Sequence, residues 1–222
     1  EDSLKRLGLD TLDLTQVHCP PTDLLRQGEL FDWLRALKQE GKIKQFGLSV
    51  ESMEEAKICL QQEGLASLQI IFNIFRQKPI TSIFKEAQEK HVAIIVRLPL
   101  SSGLLSGKMQ ERTTFPENDH RNFNQDGQKF NVGETFSGLP FTKGVQLVDG
   151  LKRFAPENLS QFALRWVLDF EAVSVVIPGS KNSQQVVDNC AASTLPRLKD
   201  ETHKAIHDFY LNEVSPHIRG KY

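Results

Sequence analysis

Val92-Ala-Ile-Ile-Val-Arg-Leu98 sets five consecutive apolar residues before a single arginine. A run this short, rich in β-branched residues and without polar alternation, reads as a strand buried on both faces. Strands of that kind belong to parallel sheets covered by helices. The flanks carry the same rhythm. Upstream, apolar periodicity predicts a helix near Ile80 to Lys90, a strand Ser67 to Asn73, a helix from about Met53 to Gln62 and a strand Lys44 to Ser49. Before these, Leu25, Leu30, Trp33, Leu34 and Leu37 recur at helical spacing up to Gly41, and Leu12 to Val17 reads as a further strand. Downstream the pattern predicts helices at Gln146 to Phe154 and Leu159 to Leu168, a strand Ala172 to Ile177, a helix Ser183 to Ala191 and a last helix near Lys199 to Phe209.

Five strands alternating with helices are the makings of a parallel α/β barrel. A closed (β/α)₈ barrel needs eight strands and typically ~250 residues. The expectation is therefore one domain over residues 1–222 that lacks about three strands, which would lie upstream of Glu1. Ser3, Leu4 and Leu7 with Lys5 and Arg6 read as the end of an amphipathic helix closed by Gly8, so a piece of a longer protein is expected. An open sheet edge at Leu12 to Val17 follows from that expectation.

The 222 residues hold 27 Lys plus Arg against 28 Asp plus Glu, a formal charge of −1. That leaves no global basic field for a nucleic acid or an anionic membrane, so any anion site must be local. Cys19, Cys59 and Cys190 are widely spaced and odd in number, which reads as reduced thiols rather than a disulfide framework. No membrane-length apolar run and no signal peptide are present, and a cytoplasmic location is expected. One segment breaks the compact rhythm. Gly107 to Gly144 is polar and turn-rich, far longer than an ordinary βα loop, and reads either as a functional cover over the strand ends or as a surface excursion.

Polar residues interrupt the apolar pattern just after the strands: His18, Ser49, Asn73, Arg97 with Ser101 and Ser102, and Gly179-Ser-Lys181. A parallel barrel gathers such positions on one rim, where its active site lies. Strand ends need polar, turn-forming residues in any case, so the clustering alone leaves both readings open. Val175-Val-Ile-Pro-Gly179, Ser180-Lys-Asn182 and a helix starting near Ser183 also form a strand–glycine–helix junction. Free N–H groups at a helix start, with a lysine beside them, suit an anion. Neither a GxxxxGK[ST] loop nor a GxGxxG motif occurs.

These segments together resemble the aldo/keto reductase family. The resemblance runs through Ser3-Leu-Lys-Arg-Leu-Gly8, Leu12-Asp-Leu-Thr-Gln-Val-His-Cys-Pro20, Gly41-Lys-Ile-Lys-Gln-Phe-Gly-Leu-Ser49 and Leu68-Gln-Ile-Ile-Phe-Asn73. It continues in Arg97-Leu-Pro-Leu-Ser-Ser-Gly-Leu-Leu-Ser-Gly-Lys108, Ala163-Leu-Arg-Trp166 and Val176-Ile-Pro-Gly179 through Asn189. It implies a TIM barrel of that type, represented from the helix before its fourth strand onward. It also implies an NADP(H)-dependent oxidoreductase that reduces aldehydes or ketones by hydride transfer without a metal, on a small-molecule carbonyl substrate, with oligomers open.

By the same resemblance His18 is the catalytic histidine, and Ser49 and Gln69 hold the nicotinamide carboxamide. Arg97 stands where an aromatic residue often stacks on the nicotinamide. Leu100, Ser102 and Lys108 belong to the loop around the pyrophosphate, and Gly179, Lys181, Gln185, Asp188 and Asn189 to the adenosine 2′-phosphate end. Three positions depart from the family pattern: Val50 for an asparagine, Arg97 for the aromatic, and Gln185 for an arginine. The family's catalytic aspartate, tyrosine and lysine find no counterpart, the only tyrosines being Tyr210 and Tyr222. The chain alone is expected to be inactive. A nucleotide-binding regulatory subunit, as in channel β-subunits related to the family, or a truncated product without activity of its own, are the rival readings.

Overall fold

The computed structural model describes residues 1–155 and 157–222. The first βα rounds are α1 (Asp2–Leu7), β1 (Leu12–His18), α2 (Thr22–Gln27), α3 (Glu29–Gln39), β2 (Ile43–Ser49), α4 (Met53–Leu60) and β3 (Leu65–Ile71). They continue with α5 (Pro79–Ser82), α6 (Phe84–Glu89), β4 (Ala93–Arg97) and a short helix α7 (His120–Phe123). Then come α8 (Phe141–Leu151), α9 (Leu159–Leu168), β5 (Val173–Val176), α10 (Ser183–Ala191) and α11 (Asp200–Phe209). The five strands form one parallel sheet in sequential order β1-β2-β3-β4-β5. Each strand pairs with the next because each connection is a helix lying on the same side of the sheet.

The helices cover one face. Phe46, Leu48, Leu68, Ile70, Ile94 and Val96 point into that layer and are fully buried with Leu25, Phe31, Ala56, Ala87 and Val167. Burying each large side chain is worth roughly 1.5–3 kcal/mol, and this layer holds the sheet. A knot of aromatic rings, Phe72, Phe84, Trp166 and Phe170, joins α6 and α9 beneath the sheet with centroids 4.9 to 5.8 Å apart.

Four expectations change. The first predicted helix is two, α2 and α3, because Gly28 between them takes φ 84° and turns the chain. The helix near Ile80 to Lys90 is broken at Ile83 into α5 and α6. Burial on both faces fails for β4: Ala93 and Ile95 are half-buried, since helices cover only the opposite face. The long segment is not one loop, for it carries α7 and two 3₁₀ turns, and α8 begins at Phe141 rather than Gln146.

Both sheet edges are open among the described residues, β1 and β5 each having one strand neighbour. Apolar side chains cluster at those edges: Leu14 on β1, Val175 and Ile177 at β5, and Val186 and Val187 on α10 are all exposed. Neither α1 nor α10 buries any residue. No helix among the described residues is long and apolar enough to cross a membrane.

One buried charge network locks the C-terminal part to this frame. The Asp169 side chain is 1% exposed and takes hydrogen bonds from Arg165 Nε (2.9 Å), Leu198 N (2.9 Å) and His203 Nε2 (2.8 Å). Arg165 in turn donates from Nη1 to the Ser193 carbonyl at 3.2 Å. Removing one partner of such a pair strands the other charge in the interior. Asp169→Ala should therefore lower unfolding stability by about 3–5 kcal/mol in urea titration. Asp200→Ala, at an exposed carboxylate in the first turn of α11, should cost under about 1 kcal/mol. Equal losses would show that Asp169 carries no special weight.

Candidate functional site

Parallel register assembles the site. His18 is opposite Ser49, Ser49 opposite Gln69, Gln69 opposite Ile95, and Ile95 opposite Val175. Residues in register on neighbouring strands share a face, so His18, Ser49 and Gln69 form one row on the side of the sheet free of helices. The row below it holds Gln16, Gly47, Ser67 and Ala93, with Gln16 Nε2 donating to Ser67 Oγ at 2.9 Å. Gly47 is required there: a Cβ would lie 2.1 Å from Ser67 Oγ and 2.7 Å from the Ser67 carbonyl oxygen. The row above holds Ile71 and Arg97.

His18 is exposed, Gln69 is half-buried, and neither side chain makes a hydrogen bond among the described residues. The Ser49 hydroxyl is buried and accepts a long contact of 3.6 Å from Cys19 Sγ. An imidazole, a hydroxyl and a free side-chain amide in one row offer donors and acceptors to a planar carboxamide and to a carbonyl oxygen beside it.

Sequence reasoning missed the groups that close over this row. Cys19, Glu51 and Glu134 bring their ligating atoms within 4.8 Å of one another. Arg97 lies among them, its Nη1 3.0 Å from Glu134 Oε1 and its Nη2 3.7 Å from Cys19 Sγ. Asn131 Nδ2 donates to Glu51 Oε2 at 3.3 Å. Glu134 and Asn131 come from the long segment, and nothing in their local sequence announces which strand end they reach. Burial, and then the Glu134 carboxylate, push the Glu51 carboxyl above its ordinary range. Burial likewise raises the Cys19 thiol, so it stays protonated near neutral pH.

The stretch after β4 is shaped by left-handed backbone. Leu98, Ser101, Ser102 and Gly103 have φ of 53°, 49°, 55° and 97°, and Phe136, Ser137 and Gly138 repeat that conformation across from them. Such residues persist only where their surroundings hold them. Here Ser101 Oγ and Ser137 Oγ are 2.8 Å apart, and Asn73 Nδ2 donates to Ser137 Oγ at 3.0 Å and to the Leu98 carbonyl at 2.9 Å. The Ser102 hydroxyl donates to the Glu134 carbonyl and accepts from Phe136 N, both at 3.1 Å. Its side chain therefore shapes the loop and does not face outward. Leu100 is half-buried and Lys108 exposed.

The far end of the site is open. Asn182 caps α10 by accepting from Gln185 N at 2.9 Å, and Gln185 Oε1 accepts from Lys181 N at 2.7 Å. Asn189 donates to Ser180 Oγ at 3.0 Å, and Asp188 accepts from Gln184 at 2.9 Å. The predicted anion residues are thus together, but they hold one another. A Cβ on Gly179 would meet nothing within 4 Å, so no backbone crowding requires glycine there. The charge of Lys181 and the helix start still match a phosphate.

The Glu51–Glu134 contact gives a pH signature. With its carboxyl raised, the folded chain holds that proton more tightly than the unfolded chain. The stability this supplies is complete below the ordinary carboxylate range and is lost as pH rises through the raised value. Glu51→Gln imitates the protonated form, so it should melt about 1–3 °C above the wild type near neutral pH. The gap should close at a pH of about 4. A gap independent of pH would refute the shared charge.

Comparison with known proteins identifies a family. The family model described as "Aldo/keto reductase family" matches residues 1–211. Aldo-keto reductase YhdN of Bacillus subtilis is 29% identical over 97% of this chain and 63% of its own length. The aldo-keto reductase yakc [NADP(+)] of Schizosaccharomyces pombe is 28% identical over 93% of this chain and 59% of its own. Among solved structures, the glycerol dehydrogenase AKR11B4 from Gluconobacter oxydans superposes with a TM-score of 0.73 at 29% identity, covering 100% of this chain and 65% of that one. The holo form of aldo-keto reductase AKR11C1 from Bacillus halodurans gives 0.69 at 27% identity, over 94% of this chain and 64% of that one. The chain spans less than two thirds of the length of these relatives. With the family model matched over residues 1–211, nearly all of its length, this chain belongs to the aldo/keto reductase family.

Proposed function

We propose that this chain is the cofactor-holding part of an NADP(H)-dependent oxidoreductase that interconverts carbonyl compounds and alcohols. The observation that carries the reading is the row of His18, Ser49 and Gln69 on the open face, set by parallel register. The donor set fits a nicotinamide. Ser49 and Gln69 would bind its carboxamide and so select which ring face is presented, and Arg97 would lie against the ring as a planar cation. The loop of Leu100, Ser102 and Lys108 would follow the pyrophosphate, the Ser102 hydroxyl holding its shape rather than meeting the phosphates. Lys181, at the start of α10 with Gly179, Gln185, Asp188 and Asn189, would meet the 2′-phosphate. The bound cofactor supplies the hydride. His18, exposed at the end of the row, would orient the substrate carbonyl by hydrogen bonding.

The reading includes a lack of activity for the chain alone. Tyr210 and Tyr222 are hydrogen-bonded to each other at 2.9 Å, with Tyr222 beneath Arg76 at 4.3 Å. Burial raises both phenols, so neither suits a proton donor. A positioned general acid contributes about 10²- to 10⁴-fold. The longer relatives and the two open sheet edges support a parent barrel in which further strands would carry an aspartate, a tyrosine and a lysine to this same rim. One soluble single-domain protein acting on a small carbonyl substrate, without nucleic acid or membrane, fits this reading.

Titration of the chain with NADPH, followed by cofactor fluorescence, tests it. Binding is expected to be tighter for NADPH than for NADH, and Lys181→Ala should weaken NADPH by about tenfold while leaving NADH nearly unchanged. A folded chain that binds neither nucleotide would overturn the oxidoreductase reading and leave the family membership standing.

A further inference from the structure

The groups above the His18–Ser49–Gln69 row are arranged around one guanidinium. Arg97 ends β4 two residues beyond Ile95, which is opposite Gln69, so its side chain leaves the sheet directly above the row. From there it reaches across the strand ends. Its Nη2 points to Cys19, the residue after β1, and its Nη1 to Glu134 of the long segment. Its Nε is buried and makes no hydrogen bond among the described residues. The Arg97 and Glu134 side chains are only 9% and 19% exposed, so this is not a surface ion pair. Glu134 is in turn held by its own backbone, through Ser102 Oγ on its carbonyl, and by Glu51 beside its carboxyl.

We propose, resting on the nicotinamide reading above, that Glu134 is a positioning residue: its carboxylate fixes the Arg97 guanidinium over the row and so ties the long segment to the nicotinamide end of the cofactor. An arginine has four rotatable side-chain bonds, and an unanchored one loses rotamer freedom when a ring settles against it. A charge-assisted contact at 3.0 Å to Glu134 removes that freedom beforehand. Without it the Glu51 carboxyl, in the same cluster and within reach of the Arg97 charge, remains, and the guanidinium plane would turn toward it. Glu134 touches no part of the cofactor in this scheme. Its effect passes through Arg97 alone.

Two ligands separate this from a purely structural role: NADPH, and 2′-phospho-ADP-ribose, which has the adenosine and pyrophosphate but no nicotinamide. The 222-residue chain is titrated as wild type, Glu134→Ala, Glu134→Gln, Arg97→Ala and the Arg97→Ala/Glu134→Ala double variant, with circular dichroism confirming that each is folded. Glu134→Ala is expected to weaken NADPH by about tenfold and to leave 2′-phospho-ADP-ribose unchanged. Glu134→Gln, which keeps an acceptor without the charge, should fall between. The double variant should bind NADPH no more weakly than Arg97→Ala, because both substitutions remove one effect. Equal weakening of both ligands would make Glu134 a general support of the loop and overturn the proposal. So would additive losses in the double variant, or no loss at all, while the cofactor reading stood. A wild-type chain that bound neither ligand would remove the cofactor reading and the proposal with it.

Discussion

Parallel register is the constraint from which the site follows. A parallel strand can be entered only from the same end as its neighbour, so every connection must cross the sheet and every strand must finish on one rim. Once Phe46, Leu48, Leu68, Ile94 and Val96 are committed to the helical layer, alternation sends the intervening residues to the other face. His18, Ser49 and Gln69 have no choice of side. A one-residue slip of β2 would bury Ser49 against the helices and turn Leu48 to the open face, and Gly47, wedged against Ser67, opposes such a slip.

The rim is then built upward by a second layer of constraints, mostly electrostatic and conformational. Two left-handed stretches, Ser101–Gly103 and Phe136–Gly138, face each other through Ser101, Ser137 and Asn73. The Arg76 guanidinium sits under Gly133, whose Cβ would approach Nη1 to 2.1 Å, and donates to the Lys221 carbonyl at 2.9 Å. Arg219 donates to the Gly138 carbonyl and pairs with Asp126. The long segment is thereby clamped between β3, β4 and the C-terminal residues. Its strain is retained because each left-handed residue sits in a satisfied network.

The sheet was legible in the sequence because its signal is local. Leu12 to Val17, Lys44 to Ser49 and Ala172 to Ile177 each contain enough β-branched or apolar residues to declare a strand, and α9 and α10 match their predicted spans. The row at the strand ends was legible for the same reason, since position along a strand fixes position on the rim. Gly28 and Ile83 were not read as breaks because a glycine or a β-branched residue inside a helical period leaves the period intact. Glu51 and Glu134 escaped for a different cause. Their importance lies in meeting Arg97 and Cys19 across separations of 32 to 115 residues of chain, a loop-closure outcome to which no periodicity points.

The two ends of the proposed cofactor site differ in how much of their organisation the chain already supplies. At the Arg97 end, side chains are buried, paired and set in strained backbone, so the ordering cost of receiving a ring has been met in folding. At the Lys181 end no side chain is fully buried: α10 rests on α9, where Gln161 Nε2 donates to the Asp188 carbonyl, β5 is an edge, and Gln185 caps the Lys181 N–H that a phosphate would use. A phosphate there would have to replace Gln185 Oε1 as the acceptor, an exchange of one hydrogen bond for a charge-assisted one. Any strand or helix that covered Val175, Ile177, Val186 and Val187 would bury apolar surface beside this end. In the proposed site, covering that edge would therefore bear on the Lys181 end and leave the Arg97 end, already built by the chain's own contacts, as it is.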